Sequence, residues 1–373
     1  MGSSVEATPR GRLPSTERSM RRLPAVLFLL ALAPSPLRAQ PDPYRVEELA
    51  SGVFAIVRKV PTTGASDSNV LFVINEADVV VVDTDIFPSS ARQAIREIRR
   101  RTTKPVRFVI NTHWHDDHVM GNEAYRQAWP GVTFISHPVA RDSIVAEVLP
   151  SLRVNRETEY PGMVRRLEAR LASGKTAQGT PLTPADRARL RDQLRLYRFF
   201  LQDTRGVTVV PPDLTVADSL VLHRGARTIV VTWLGRGNTP GDLVVWLPAE
   251  RVLATGDLVV APVPFAFGSF VEDWPGTLRR LRARPAATIV PGHGDVMHDW
   301  TRVDGLVAML EDLGPRIAGA LAHGVALDST VKLVDASRWR AQVAGGDSLR
   351  GVAFDRLFFQ PLVEASFNRA RRR

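Results

Sequence analysis

No cysteine occurs among the 373 residues. That excludes a disulfide framework, a thiolate-ligated zinc and a thiol nucleophile. Any metal must therefore be held by histidine and carboxylate, and eight histidines are present. Long apolar runs are missing too. The longest, Leu23 to Ala33, falls short of the roughly 20 residues that a membrane-crossing helix requires, so no stable membrane insertion is expected once that segment is removed. The composition, 44% hydrophobic and 24% charged, excludes collagen-like, coiled-coil and wholly disordered chains. Length alone leaves one large domain or two ordinary ones open.

What is present begins with an address. Arg21 and Arg22 precede the apolar run, and Pro34, Pro36 and the small residue Ala39 follow it, the layout of a secretory signal cleaved near Ala39. Sec-type export to the periplasm or the exterior is expected, with Met1 and Met20 both open as starts. Removing residues 1–39 takes away six arginines and two glutamates and lowers the formal charge from +10 to +6. The remaining basic charge is arginine scattered along expected helices, with a cluster at Arg369, Arg371, Arg372 and Arg373. Such a pattern reads as solvated faces and a frayed tail, not as a nucleic-acid surface.

Residues 40–373 alternate strands with helices. Val53 to Val60, Val70 to Ile74, Val79 to Val82, Val106 to Ile110 and Val132 to Ile135 read as strands. Between the third and fourth, a helix capped by Ser89 or Ser90 carries Ala91, Ala94, Ile95 and Ile98 on one face. From about 144 to 205 the chain becomes helical and arginine-rich, and Thr183, Pro184 and Asp186 mark a helix start there. Strand signals resume at Val207 to Val210, Leu220 to Leu222, Thr228 to Trp233, Leu243 to Leu247, Arg251 to Ala254 and Ala287 to Val290. The tail over 302–373 is mostly helical, from Val303 to Leu321 and from Phe354 to Ala370.

The chemistry gathers after an apolar strand, in His113-x-His115-x-Asp117-His118. Four ligand-type side chains in six residues point to a metal. Residues two apart in extended chain face the same way, so His113 and His115 can grip one ion while Asp117 and His118 face a second. His137, His223, His298 and His323 lie outside this pattern and are expected to be structural or exposed.

The run resembles the hallmark of the metallo-β-lactamase superfamily, and the resemblance continues in order through Asp83, Gly235 to Asp242, Thr255-Gly256-Asp257 and Pro291-Gly292-His293-Gly294. It implies an α/β fold of four layers, an αββα sandwich in one domain over 40–373, with the 144–205 stretch inserted between its halves. It also implies that His113 and His115 serve one metal, that Asp117, His118 and His293 serve another, and that Asp257 bridges both. Where the family usually has a third histidine for the first site, this chain has Asn238. An amide oxygen is a weaker ligand for a borderline ion than imidazole. One tight metal, two metals with a labile first ion, and Asn238 as a weak ligand or substrate donor are all open. Zinc, one or two ions per chain, is the default; iron and manganese suit the same donors.

The resemblance implies a hydrolase of small molecules. Its nucleophile would be water activated by the metal to a pKa of roughly 7 and oriented by Asp117, attacking an ester, lactone, thioester or amide, a β-lactam among them. Asp83 is an expected acceptor for a ligand histidine or a strand-end cap. Trp114, Phe265, Phe267 and Phe270 are candidate pocket walls or ordinary packing. Asp257 looks more like glyoxalase II and lactonases than like true β-lactamases. An iron-dependent oxidoreductase of the persulfide dioxygenase type is the alternative, although Asn238 argues against it, and a non-catalytic metal or ligand binder is a third. A nuclease of the same scaffold ranks below these. Substrate and oligomeric state are not encoded in any pattern read here.

Overall fold

The central strands form where the chain is apolar on both faces. Val79–Val82 (β4) is buried throughout, with Val80 and Val82 entering one hydrophobic cluster and Val79 and Val81 another. That division follows from the two-residue side-chain period of a strand. A computed structural model describes residues 44–59 and 67–371. The expected signal peptide, residues 1–39, lies outside the described residues, as do Arg372 and Arg373. Among the described residues no helix is long and apolar enough to cross a membrane.

Two sheets result. The first comprises Tyr44–Ala50 (β1), Val53–Arg58 (β2), Val70–Ile74 (β3), β4, Val106–Ile110 (β5), Thr133–Ser136 (β6) and Leu214–Thr215 (β7), in that spatial order. It is antiparallel as far as β4 and parallel beyond. The second comprises Ser219–Arg224 (β8), Arg227–Trp233 (β9), Leu243–Leu247 (β10), Val252–Val260 (β11) and Thr288–His293 (β12), with only β11 and β12 parallel. Ala55, Leu71, Val80 and Ile110 of the first sheet pack against Val231, Val245, Val252 and Val290 of the second.

Helices cover both outer faces. Ala91, Ala94, Ile95 and Ile98 of helix Pro88–Arg101 meet Phe72, Val79 and Val109. Trp274, Leu278 and Leu281, with Leu310, Leu313 and Phe358 of the C-terminal helices, meet Val244, Trp246 and Leu253. The expected αββα sandwich is thereby present as four layers.

Several local expectations need correction. Neither Ser89 nor Ser90 caps the first helix, which begins at Pro88 behind Phe87 without a local side-chain cap. Remote carboxylates substitute: Asp67 Oδ1 accepts from the amides of Ile86 and Phe87 at 3.1 Å, and Asp203 Oδ2 accepts from Ser89 N at 2.9 Å. Val207 to Val210 is not a strand; the strand pairing with β6 is β7. The stretch expected over 144–205 is helical from Pro138 to Ser173 and again over Pro184–Asp203, with π-helical turns at Ile144–Val148 and Asn155–Glu159. Its second helix carries the full capping box between Thr183 and Asp186. β1 and the helices Leu327–Leu333 and Ser337–Ala344 escaped the sequence reading, because their apolar residues are too sparse to set a period.

One ion pair is wholly inside. Arg58 at the end of β2 donates through Nε and Nη2 to Asp85 at 3.0 and 2.8 Å, and both side chains are buried. Removing one partner leaves the other charge uncompensated, so Arg58→Met should lower unfolding free energy by about 3–5 kcal/mol. Urea denaturation of the variant checks this; a loss under about 1 kcal/mol would show that the pair is not desolvated in solution.

Candidate metal centre

The parallel strands deliver the site. β4 and β5 run side by side, Val82 opposite Ile110, so both end at one edge of the sheet. Asp83 follows the first, and the segment Asn111 to His118 follows the second. On the second sheet β12 ends at His293, while β11 loses register with it between Ala254 and Gly256 and again before Val260, where Asp257 sits. The two edges are stitched by Asn69, whose amide N donates to Gly292 O at 2.7 Å and whose Nδ2 donates to the carbonyls of Pro291 and Gly294 at 3.0 and 2.8 Å.

At this seam two donor clusters form: His113, His115 and Asp257, and Asp117, His118 and His293. Within each, the donor atoms lie within 4.8 Å of one another. His113 Nε2 is 3.0 Å from His115 Nδ1. His293 Nε2 is 2.9 Å from Asp117 Oδ2, and His118 Nε2 is 3.7 Å from the same oxygen. Asp257 offers one oxygen to each cluster. Its Oδ1 is 3.3 Å from His118 Nε2 and 3.6 Å from His293 Nε2, while Oδ2 is 3.9 Å from His113 Nε2. Ligands about 2.0–2.2 Å from a tetrahedral zinc are about 3.3–3.5 Å apart, and these separations bracket that range. The donor set therefore fits metal ions.

Hydrogen bonds behind the donors set the histidine tautomers. His118 Nδ1 lies 2.8 Å from Asp83 Oδ2, which directs its proton to the carboxylate and its Nε2 lone pair into the cluster. Thr112 Oγ1 donates to Asp83 Oδ2 at 2.9 Å and accepts from His113 Nδ1 at 3.0 Å, leaving the His113 Nε2 lone pair directed inward. Asp83 thus acts on one histidine directly and on another through a hydroxyl, and it also accepts from Thr112 N at 2.8 Å.

The electrostatics are those of a cation site. Burial opposes charge on His118, yet Asp117, Asp83 and Asp257 overcome it and raise its pKa well above the usual imidazole value. Burial likewise opposes ionisation of Asp117, but His118 and His293 hold its carboxyl well below the ordinary range. Burial and the neighbouring imidazoles push His113 down. Asp116, buried beside the Asp117 carboxylate, is pushed up to about 7. No role was expected for Asp116, and only its place inside the motif could have flagged it.

Asn238 sits in the turn before β10. That turn is braced by Asp242, which accepts from Thr239 N at 2.8 Å and Thr239 Oγ1 at 2.7 Å, and it is joined to the histidine segment by Leu243 N donating to Thr112 O at 2.8 Å. Asn238 is fully buried, and neither atom of its amide has a hydrogen-bond partner. Such a group costs about 1–3 kcal/mol unless something bound to the protein satisfies it.

The aromatic candidates divide. Trp114 packs edge-on against His115, their ring centres 4.6 Å apart, and lines a 230 Å³ cleft with Met120 and with Val148, Leu152 and Phe200 of the inserted helices. Phe265 packs against His293 at 5.1 Å. Phe267 is exposed, 6.5 Å from Phe265. Phe270 turns elsewhere, between Arg236 and Arg369. Among the remaining histidines, His137 accepts from Val139 N at the start of a helix, and His298 borders a different cavity. Asn69 and the remote caps Asp67 and Asp203 had no sequence signal, because each acts across the fold.

Comparison with known proteins places this geometry. The profile of the Metallo-beta-lactamase superfamily matches residues 63–293. A linear primary-alkylsulfatase from a Pseudomonas species is 24% identical over 251 residues, 63% of this chain and 43% of that protein. A metallo-beta-lactamase type 2 from Bacteroides fragilis is 33% identical over 90 residues, 22% of this chain and 36% of that protein. The chain thus spans less than half the length of these relatives. A metallo-beta-lactamase structure from Pontibacter korlensis superposes with a TM-score of 0.51 at 19% identity, covering 72% of this chain and all of that one.

Tight approach fixes the Asp257 carboxylate. A Cβ on Gly292 would fall 1.9 Å from Asp257 Oδ1 and 2.8 Å from the Gly256 carbonyl carbon. Gly292→Ala should therefore cost about 1–3 kcal/mol, read as a melting temperature lower by roughly 2–10 °C. An unchanged melting temperature would mean that β11 and β12 are not this close.

Proposed function

The chain belongs to the metallo-beta-lactamase superfamily, and from that premise we propose that it is an exported metal-dependent hydrolase of small molecules, cleaving an ester, lactone, thioester or amide. The observation that carries this is the pair of donor clusters sharing Asp257. Export rests on the arginine pair and apolar run before Ala39. A zinc-type ion, when bound, supplies Lewis acidity and brings a water pKa down to about 7.

His113, His115 and Asp257 would hold one ion, and Asp117, His118 and His293 with Asp257 a second. Asp83 keeps the His113 and His118 lone pairs directed at the ions. Asp117 stays ionised and is the acceptor able to orient a nucleophilic water and carry its proton. Asn238, whose amide is buried without a partner, serves as a weak donor to the first ion or to the substrate oxygen. The cleft beside Trp114, whose apolar wall is Met120, Val148, Leu152 and Phe200, receives part of the substrate. The alkylsulfatase relative also leaves a sulfate ester as a substrate class.

Metal content is the first test. Purified protein beginning at Gln40 should carry about one firmly held zinc, and Asn238→His should raise this to about two, by plasma emission spectrometry after dialysis. Hydrolysis of a chromogenic cephalosporin, a lactone and an aryl sulfate identifies the bond. Tightly bound iron, or no turnover of any ester or amide after zinc addition, would overturn the reading. Asp83→Asn should weaken zinc about 10–100-fold in chelator competition, as loss of an orienting partner does; unchanged affinity would remove Asp83 from this role.

A further inference from the structure

A second cavity, of 660 Å³, opens beside the same seam. Its walls include Phe265, whose ring packs on His293, and Gly294, the next residue along. Arg302, Arg350 and Leu357 of the C-terminal helices, beyond the superfamily match that ends at 293, face β1 and β2 residues with Lys59 just past β2, and Ala261 to Val263 from within the match. The sandwich therefore forms part of this cavity, while Arg302 and Arg350 come from the helices after the matched region.

Its charge is lopsided. Arg302 and Arg350 both line it, with Lys59 and Arg45 as further cations. Arg302 donates to Pro262 O at 2.8 Å and makes no ion pair among the described residues. Two carboxylates line the same cavity, but both are engaged. Asp295 Oδ1 lies 2.8 Å from Arg45, and Asp347 accepts from Leu349 N at 2.8 Å while standing 3.6 Å from Arg350 Nε. Several cations around one half-enclosed space, against two carboxylates already engaged, favour an added oxyanion, and planar guanidinium forks match carboxylate and sulfate geometry.

We propose that this cavity receives an anionic group, a carboxylate or sulfate, carried on the substrate whose scissile bond lies at the His113–His293 centre, with Arg302 and Arg350 as its clamp. The assignment deepens the hydrolase reading and rests on it for the identity of the bond, not for the binding of the anion. It makes the substrate amphiphilic: apolar chain against Trp114 and Phe265, negative end among the arginines.

Calorimetric titration of the zinc-loaded protein with glutarate and, separately, with inorganic sulfate tests the binding. Glutarate should bind, more weakly as salt rises, and at least tenfold more weakly to Arg302→Gln and Arg350→Gln, with Arg302→Lys intermediate. Both arginines are exposed, so equal melting temperatures should verify folding. Equal affinity in wild type and both variants, or no binding, overturns the proposal. Sulfate binding tighter than glutarate and lost in the same variants overturns the substrate arm in favour of a free-anion site. In turnover, the kcat/KM ratio of mono-4-nitrophenyl glutarate to 4-nitrophenyl butyrate should fall about tenfold in Arg302→Gln; an unchanged ratio also overturns it. If neither ester is cleaved, the hydrolase reading stands or falls on the cephalosporin, lactone and aryl sulfate assays, and the titration alone decides the cavity.

Discussion

Asp83 is the residue on which the centre depends. It leaves β4 at a φ of 61°, a left-handed conformation that costs most non-glycine residues roughly 1–2 kcal/mol and that aspartate tolerates better than most. In return its carboxylate turns back across the sheet edge to accept from Thr112 N, Thr112 Oγ1 and His118 Nδ1. A carboxylate in the ordinary extended conformation would continue along the strand and reach none of them. One buried anion thereby fixes the backbone where the histidine segment begins and the ring orientation of two histidines. Asp85, two residues on, repeats the device at φ 68° to meet Arg58, so the loop after β4 is held by two inward-turned carboxylates.

The second sheet supplies the complementary half under a different constraint. His293 and Asp257 come from parallel neighbours, and parallel strands bring equivalent ends to the same edge without a hairpin. Irregular register between β11 and β12 is what frees Asp257 to face both clusters. Gly292 permits the approach, and Asn69 ties the loop to β3 through three hydrogen bonds. Two donors, Asp257 and His293, thus sit on strands, and the other four sit on the short segment that leaves β5, where Asp83 fixes its first residues.

The frame was legible in the sequence for physical reasons. Val70 to Ile74, Val79 to Val82 and Leu243 to Leu247 are short apolar runs buried on both faces, Val106 to Ile110 is apolar but for the exposed Arg107, and all four form strands with those bounds. The donor residues were legible because ligand chemistry restricts residue type and local spacing together. Caps supplied from a distance were not: Asp67 and Asp203 serve a helix about 20 and 110 residues away in the chain, which no local pattern records. Val207 to Val210 failed for a related reason. Apolar β-branched residues also pack as irregular chain, and here Val209 is buried against Ile86, Phe87 and Phe200 instead of pairing in the sheet.

The two cavities beside the centre differ in origin and in character. On the His115 side, Ile144, Val148, Leu152 and Phe200 of the inserted helices close over Val119 and Met120 with apolar contacts. On the His293 side, segments after the shared scaffold bring guanidinium groups to the rim. Dispersion and area burial discriminate among substrates weakly, about 1–3 kcal/mol per methylene, whereas a site arranged for a charged or hydrogen-bonding group rejects an analogue lacking it far more strongly. If the scaffold determines which bond is attacked, then the steeper selection among substrates falls to the residues added around it, and those of the C-terminal helices carry the charge that can impose it.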